Sequence, residues 1–423
     1  MAKAIGVHVF AGGFTHGVKR AFDVECQLES HGFGLETCEQ VFDTPAVNRP
    51  NRDWPDLQAD FIYGNPRCTG FSTITAGYGD ACHGPWSKQT QDIHDLMGYA
   101  IGRADVIIWE SVQQAFSVGR PLLDYLRDEV CKPNHYRVAH ILMNASSFGN
   151  AQQRKRYFFV AYRDDRNFNI EPPQIGMTKP CTADWLWDLR ERETRAAQLW
   201  ARGAEYDGDC YCDLTPDEWA AVPHLPNGWD LNAMGRYAID LLPPKMQRTW
   251  RFRTSDMPFS MHGIVRTNWL TPFPTIHSSA ARFIHPSHNR PVTLLELSTI
   301  MGWDGRIPVG YQPVAQIAKG VVPSAGEWLA KQAMYYLNGA WGDQDWESSY
   351  DPHKGEWVGR DTHGQHEKIF NLTRYTSHVF KREDYPHVQL HEHRFDVERR
   401  RAQLARGDNA ELPSGRHAGD DRV

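Results

Sequence analysis

A chain of 423 residues, 41% hydrophobic and 23% charged, has ordinary globular composition and length for about two or three domains. A formal net charge of −6 excludes a surface coated with basic residues for nonspecific nucleic-acid binding, while leaving room for a locally basic cleft. No stretch approaches the apolar length of a membrane span. The opening MAKAIGVHVF runs straight into a strand rather than a secretory signal. Eight cysteines at irregular spacing suit reduced thiols in a cytoplasm rather than a disulfide scaffold. Cys210 and Cys212 form an isolated C-x-C, too little for a metal site, and the 20 histidines make no ligand-spaced set.

Taken in order, Ala4 to Phe10 reads as a first strand. It runs into the glycine loop Phe10 to Gly17, with helix near Val18 to Phe22. Glycines between strand and helix let the backbone approach a ligand closely. Asp23 to Leu28 reads as a second strand ending at Glu29, and a carboxylate about 20 residues after a glycine loop commonly binds ribose hydroxyls. Gly32 to Phe42 reads as helix and Thr44 to Pro55 as loop. Phe61 to Tyr63 is an apolar strand that ends in Gly64-Asn65-Pro66-Arg67, with Cys68 directly after. Open α/β sheets hold their ligands beyond the carboxyl ends of the strands, so Cys68 is placed to act as a nucleophile. Thr73 to Gln91 is a long Gly-, Ser- and Thr-rich loop, of the kind that is usually functional. Asp105 to Trp109 is a buried strand ending in Glu110-Ser111-Val112. Arg137 to Leu142 and Tyr157 to Tyr162 are further strands, separated by NASSFGNAQQRKR, which carries Arg154, Lys155 and Arg156. Strands alternating with helices predict a doubly wound α/β sheet.

These blocks resemble the cytosine-C5 DNA methyltransferase family. The glycine loop resembles its first motif, GNPRCTGFS its GGPPCQGFS nucleophile motif, and Glu110-Ser111-Val112 its ENV motif. NASSFGNAQQRKR is similar to NAADYGVPQxRxR. Downstream, Pro274 to Ile276 and Arg290 to Trp303 resemble the ninth motif and Gln316 to Pro323 the tenth. The blocks lie in family order over residues 5 to 335. The resemblance implies a Rossmann-like S-adenosylmethionine-dependent catalytic domain (1–163), a target-recognition domain (164–270), a return segment completing the cofactor pocket (271–338) and a C-terminal extension (339–423). It implies double-stranded DNA as partner, and a monomer working in a bacterial or phage-infected cell.

By the same resemblance, Cys68 attacks cytosine C6, Glu110 protonates or hydrogen-bonds N3, and Arg156 holds the base O2. Arg154 braces the catalytic loop or a phosphate, and Gln152 is expected at the substrate. The target base leaves the duplex stack, which costs a few kcal/mol repaid by pocket contacts. Around the cofactor, Phe10 is expected to stack on adenine, Ala11, Gly12 and Gly13 to approach the methionine end, and Glu29 to take the ribose. Pro66, Arg67 and Ser72 border the same region. Asp43, Asn48 and Asp53 all stand as candidates for the adenine amino group.

The sequence departs from the family pattern in ways that bear on charge. The glycine loop is one residue short. Arg67 replaces a proline, Thr69 a glutamine, and Lys319 stands at the asparagine of the tenth motif. A lysine beside a sulfonium repels it, strongly in a dry site. Lys319 and Arg67 together predict a cofactor that brings its own carboxylate, carboxy-S-adenosylmethionine, and a 5-carboxymethylcytosine product. The alternative is that Lys319 turns away or meets a nearby acid, and the enzyme is an ordinary S-adenosylmethionine-dependent DNA methyltransferase. A tRNA-modifying enzyme and an inactive DNA-binding relative are further alternatives.

Residues 164–270 are rich in tryptophan. Lys245, Arg248, Arg251 and Arg253 interleave with aromatics between Lys245 and Arg253 and suit phosphate and base-edge contact, the alternative being a half-exposed strand. Asp184 to Ala201 reads as a charged amphipathic helix. After Leu337 the composition turns polar. Residues 340–423 predict irregular structure, with a short basic helix over Arg394 to Arg406 and a disordered end.

Overall fold

The computed structural model describes residues 2–72, 83–171, 181–186, 214–252, 263–278, 282–340, 359–361 and 367–372. The expected helix over Asp184 to Ala201 beyond residue 186, the basic helix near 394–406, Arg253 and the Cys210/Cys212 pair lie outside them.

Short apolar runs bounded by turn residues form the strands of one sheet. β1 (Lys3–Val7), β2 (Asp23–Glu29), β3 (Ala46–Asn48), β4 (Phe61–Gly64), β5 (Val106–Val112), β6 (Tyr136–Asn144), β7 (Lys155–Arg163), β10 (Gly359–Asp361) and β11 (Glu367–Leu372) lie in the order β10-β11-β6-β7-β5-β4-β1-β2-β3. β1 to β5 are mutually parallel, and β7 runs antiparallel to both β5 and β6. Near-continuous burial of β4 and β5 is what a parallel sheet covered on both faces requires. Helix α1 (Gly13–Val18) follows β1, α2 (Leu35–Phe42) follows β2 and α3 (Gln91–Ala100) precedes β5. Chain order runs outward from β1 through β2 to β3, then crosses to β4. The topological switch therefore falls between β1 and β4, where ligands of doubly wound sheets bind.

Two expectations about local structure are corrected. The first strand stops at Val7 and the helix after it starts at Gly13, earlier than the Val18 to Phe22 segment read from the sequence. The polar tail is not wholly irregular: β11 adds parallel to the β6 edge, Glu367 opposite Val138 through Leu372 opposite Met143, and β10 pairs with β11. Glu367 anchors the addition. It is buried at 3% exposure and pairs with Arg120 Nη1 and Arg127 Nη1 at 2.8 Å and with His140 Nε2 at 2.5 Å.

The described chain falls into two compact units. The first holds the sheet and its helices, and the second holds residues 214–252, 263–268 and 282–292. The second unit has its own core, with Leu231, Met234, Leu241, Leu242, Met246 and Ile264 at its centre. Residues Pro244–Arg251 form a helix there, so the strand alternative for this segment does not hold. Met246 and Trp250, four apart, face inward, while Lys245, Arg248 and Arg251 are exposed. Together with the two strands β8 (Val265–Arg266) and β9 (Phe283–Ile284), this is a small, separately cored body.

No described helix is long and apolar enough to cross a membrane.

Candidate active site

The nucleophile turn is set by close packing at the end of β4. A Cβ on Gly64 would sit 2.2 Å from Leu96 Cδ1 and 2.4 Å from Val7 O, so only glycine lets β4 end against β1 and α3 there. Asn65 Nδ2 donates to Lys319 O at 2.6 Å, tying this turn to the return segment. Cys68 follows in the sparsely allowed bridge region (φ −108°, ψ 5°), ahead of a 3₁₀ turn over Thr69–Phe71. Its side chain is half-buried. Burial and the charge of Glu110 push the thiol pKa up, against the pull of Arg156, Arg154 and the Val112 backbone N–H. Cys68, Glu110, Arg156 and Arg154 thus share one electrostatic neighbourhood.

β5 delivers Glu110 at 2% exposure, with Oε1 2.6 Å from Arg156 Nε. Arg156 comes from β7, whose antiparallel register sets it opposite Val112. Burial raises the Glu110 carboxyl above the usual carboxylate range, opposed by Arg156 and Arg154. A buried glutamic acid whose pKa is raised and which is braced by an arginine is suited to give a proton to a ring nitrogen. Arg154 lies deeper, at 2% exposure. It donates to Ile276 O at 3.0 Å, Ala318 O at 2.7 Å and Gly320 O at 3.0 Å. Burial and Arg156 lower its pKa to about 9. These bonds make Arg154 a brace between the start of β7 and the return segment.

On the cofactor side, Phe10 adopts positive φ (60°), as does His8 (54°), in the short loop leading to Gly12 (φ 91°) and α1. Such backbone strain clusters at ligand sites. Glu29 is fully buried. Its Oε1 accepts from the Val9 and Phe10 N–H groups at 2.6 and 2.9 Å. Oε2 is buried without a hydrogen-bond partner, 3.7 Å from His8 Nδ1. An orphaned carboxylate oxygen beside a strained loop fits S-adenosylmethionine, whose ribose hydroxyls are donors. Lys319, at the end of the helix Pro313–Lys319, sets Nζ 4.0 Å from the Phe33 ring centroid and 5.6 Å from that of Phe10. Desolvation and Arg67 lower its pKa. Among the described residues no carboxylate lies within ion-pair distance of it.

Arg67 behaves differently. Its Nε and Nη2 bind Asp92 Oδ2 and Oδ1, each at 2.7 Å. Although burial pushes the Asp92 carboxyl up, Arg67 brings it below the usual range, with His8 and His31 adding to the pull. Sequence reading missed Asp92, His8 and Phe33, because none sits in a motif; a buried acid in the first turn of α3 was the signal available for Asp92. Gln152 also differs from its expected place at the substrate. It is fully buried, its Oε1 accepting from Ile276 N–H at 3.1 Å, so it holds the return segment. In the second unit, Lys245 pairs with Asp217 at 3.1 Å, and Arg248 and Arg251 stand exposed on the same helix.

A doubly wound sheet with a cysteine, a buried glutamic acid and two arginines gathered at its carboxyl edge defines a Rossmann-like methyltransferase. The chain belongs to the C-5 cytosine-specific DNA methylase family, whose model matches residues 8–332. It is therefore a DNA cytosine-C5 methyltransferase-type transferase, of a family that uses S-adenosylmethionine. It is 23% identical over 379 residues to type II methyltransferase M.DdeI of Desulfomicrobium norvegicum, covering 78% of this chain and 88% of that protein. Among solved structures it resembles a protein described as a DNA modification methyltransferase encoded within an E. coli prophage. There the TM-score is 0.51 at 17% identity, over 80% of this chain and all of the other. It also resembles the Entamoeba histolytica methyltransferase EhMeth, with TM-score 0.51 at 10% identity, over 80% of this chain and 99% of that one. At these identities the two structures show a shared fold.

Proposed function

We propose that the protein alkylates C5 of a cytosine flipped out of double-stranded DNA, and that the group it transfers is carboxymethyl. Cys68 supplies the nucleophile: its thiolate bonds to C6 while Glu110 gives a proton to N3, and the C5=C6 electron pair is left on C5. Arg156 holds the Glu110 carboxyl and reaches the base O2. When bound, the cofactor would supply an electrophilic carbon on a sulfonium for the nucleophilic C5. Loss of the C5 proton to water, expulsion of the Cys68 thiolate and return of the N3 proton to the Glu110 carboxylate then restore the ring and the enzyme.

The observation that carries the carboxymethyl reading is Lys319. Its ammonium lies over the Phe10 and Phe33 rings, partly desolvated, with no carboxylate partner among the described residues. Next to a sulfonium alone, such a cation is repelled; next to a carboxylate on the same cofactor, it forms a charge-assisted pair. Arg67 is a weaker partner for such a carboxylate, because Asp92 neutralises its charge and takes its Nε and Nη2 donors. That neutralisation, and the family's use of S-adenosylmethionine, favour ordinary methylation as the second reading.

Mass spectrometry of nucleosides from duplex DNA incubated with each cofactor separates them. The expected product is 5-carboxymethylcytosine from carboxy-S-adenosylmethionine, with Lys319→Asn shifting preference to S-adenosylmethionine. Product from S-adenosylmethionine alone, unaffected by Lys319→Asn, establishes the ordinary methyltransferase instead.

A further inference from the structure

We propose that Asp92 is a positioning residue for the nucleophile, acting through Arg67. The clamp is complete in itself. Asp92 Oδ2 receives Arg67 Nε at 2.7 Å and faces the Arg67 backbone N–H at 3.4 Å, while Oδ1 receives Nη2 at 2.7 Å. One carboxylate therefore grips both the side chain and the main chain of the residue immediately before Cys68. Asp92 is itself 1% exposed and lies in the first turn of α3, where the helix dipole favours a negative charge. A buried acid on a packed helix is a fixed anchor, whereas Arg67 is half-buried at the surface of the turn.

The reason for the clamp is conformational. Arg67 stands where a proline would lock φ through its ring. An arginine there has free φ, and the turn that presents Cys68 in its bridge-region conformation loses a constraint. The bidentate pair restores that constraint by charge-assisted hydrogen bonds of fixed fork geometry. Arg67 is thereby a strut of the nucleophile turn. His31 Nε2 lies 3.6 Å from Asp92 Oδ1. Although His8, Asp92 and Asp95 bring ligand atoms within 4.8 Å of one another, both Asp92 oxygens already hold the guanidinium.

This rests on Cys68 being the attacking group, and the test keeps the two apart. The measurement is the single-turnover rate of covalent adduct formation on duplex DNA carrying 5-fluorocytosine at saturating cofactor, together with KM for the cofactor and the melting temperature. Arg67→Ala and Asp92→Asn are each expected to slow trapping by up to about 100-fold, the cost of a roughly 1 Å misplacement of a reacting group, with cofactor KM unchanged. The double variant is expected to be no slower than either single one, since the pair acts as a unit. Arg67→Lys, which keeps the charge and loses the fork, falls between. A raised cofactor KM in Arg67→Ala with trapping unchanged at saturation overturns the proposal, and so do additive effects in the double variant. If Asp92→Asn does not fold, Arg67→Ala and Arg67→Lys carry the same readouts. A wild type that forms no adduct removes the nucleophile and the proposal together; a wild-type adduct with unchanged variants removes the proposal alone.

Discussion

Glu110 and Cys68 titrate in opposite senses for the reaction, and their surroundings raise both. Burial lifts the Glu110 carboxyl, and burial with the Glu110 charge lifts the Cys68 thiol. The acid works protonated and the thiol works ionised, so rising pH gains thiolate and loses glutamic acid. The rate is expected to climb, level off between the two pKa values, and fall at alkaline pH. Glu110→Gln keeps a hydrogen-bond donor that does not titrate. It is expected to lower kcat by about 10²–10⁴-fold and to abolish the alkaline fall, its rate climbing until the thiol is ionised. A pH–rate profile of trapping on 5-fluorocytosine DNA checks this; an alkaline fall that survives in the variant excludes Glu110 as the acid.

At the scale of elements, the cofactor loop is held by α1 packing on the long helix Pro323–Leu337, which brings the return segment home. The contact depends on Gly17. A Cβ there would lie 2.2 Å from Pro323 O and 2.7 Å from Glu327 N, both backbone atoms that cannot swing aside. Gly17→Ala is therefore expected to destabilise the fold by about 1–3 kcal/mol, as overpacking does, despite the better helix propensity of alanine. Thermal melting with and without S-adenosylmethionine measures it, and an unchanged melting temperature shows that the helices are not locked there. Arg154 acts at the same scale, its three carbonyl partners joining the β7 start to the return segment.

Over the whole molecule, the C-terminal strand β11 closes the β6 edge, and an exposed strand edge is otherwise a template for aggregation. Glu367 is the charge that makes the closure pH-dependent. Burial raises its pKa, but His140 and Arg120 outweigh that and hold it at about 2. A carboxylate depressed in the folded state contributes stability above its unfolded value of about 4.3, and that contribution is lost as pH falls toward about 2. Glu367→Gln is expected to cost about 1–3 kcal/mol at neutral pH and to flatten the acid side of the stability curve. Denaturant unfolding between pH 7 and pH 3 checks both, and parallel wild-type and variant curves remove Glu367 from the closure.

The sequence by itself determined the strand–turn grammar of the catalytic unit. Cys68, Glu110 and Arg156 stand at strand ends whose apolar runs are short and bounded, so local pattern marked each of them as a residue at a strand terminus. It also exposed Lys319 as a cation in an uncharged position. Only the tertiary structure decided where the charges are spent. Arg67 and Lys319 look alike in the chain, yet Asp92, 25 residues after Arg67, neutralises the first and leaves the second over two aromatic rings. Gln152, expected at the substrate, turns inward to backbone of the return segment, and Arg154, expected to brace the catalytic loop or a phosphate, bonds to carbonyls of the same segment. The tail strand was illegible for the same reason. β11 is fixed by pairing with β6 and by Glu367 meeting Arg120, Arg127 and His140, partners more than 200 residues away that no local pattern encodes.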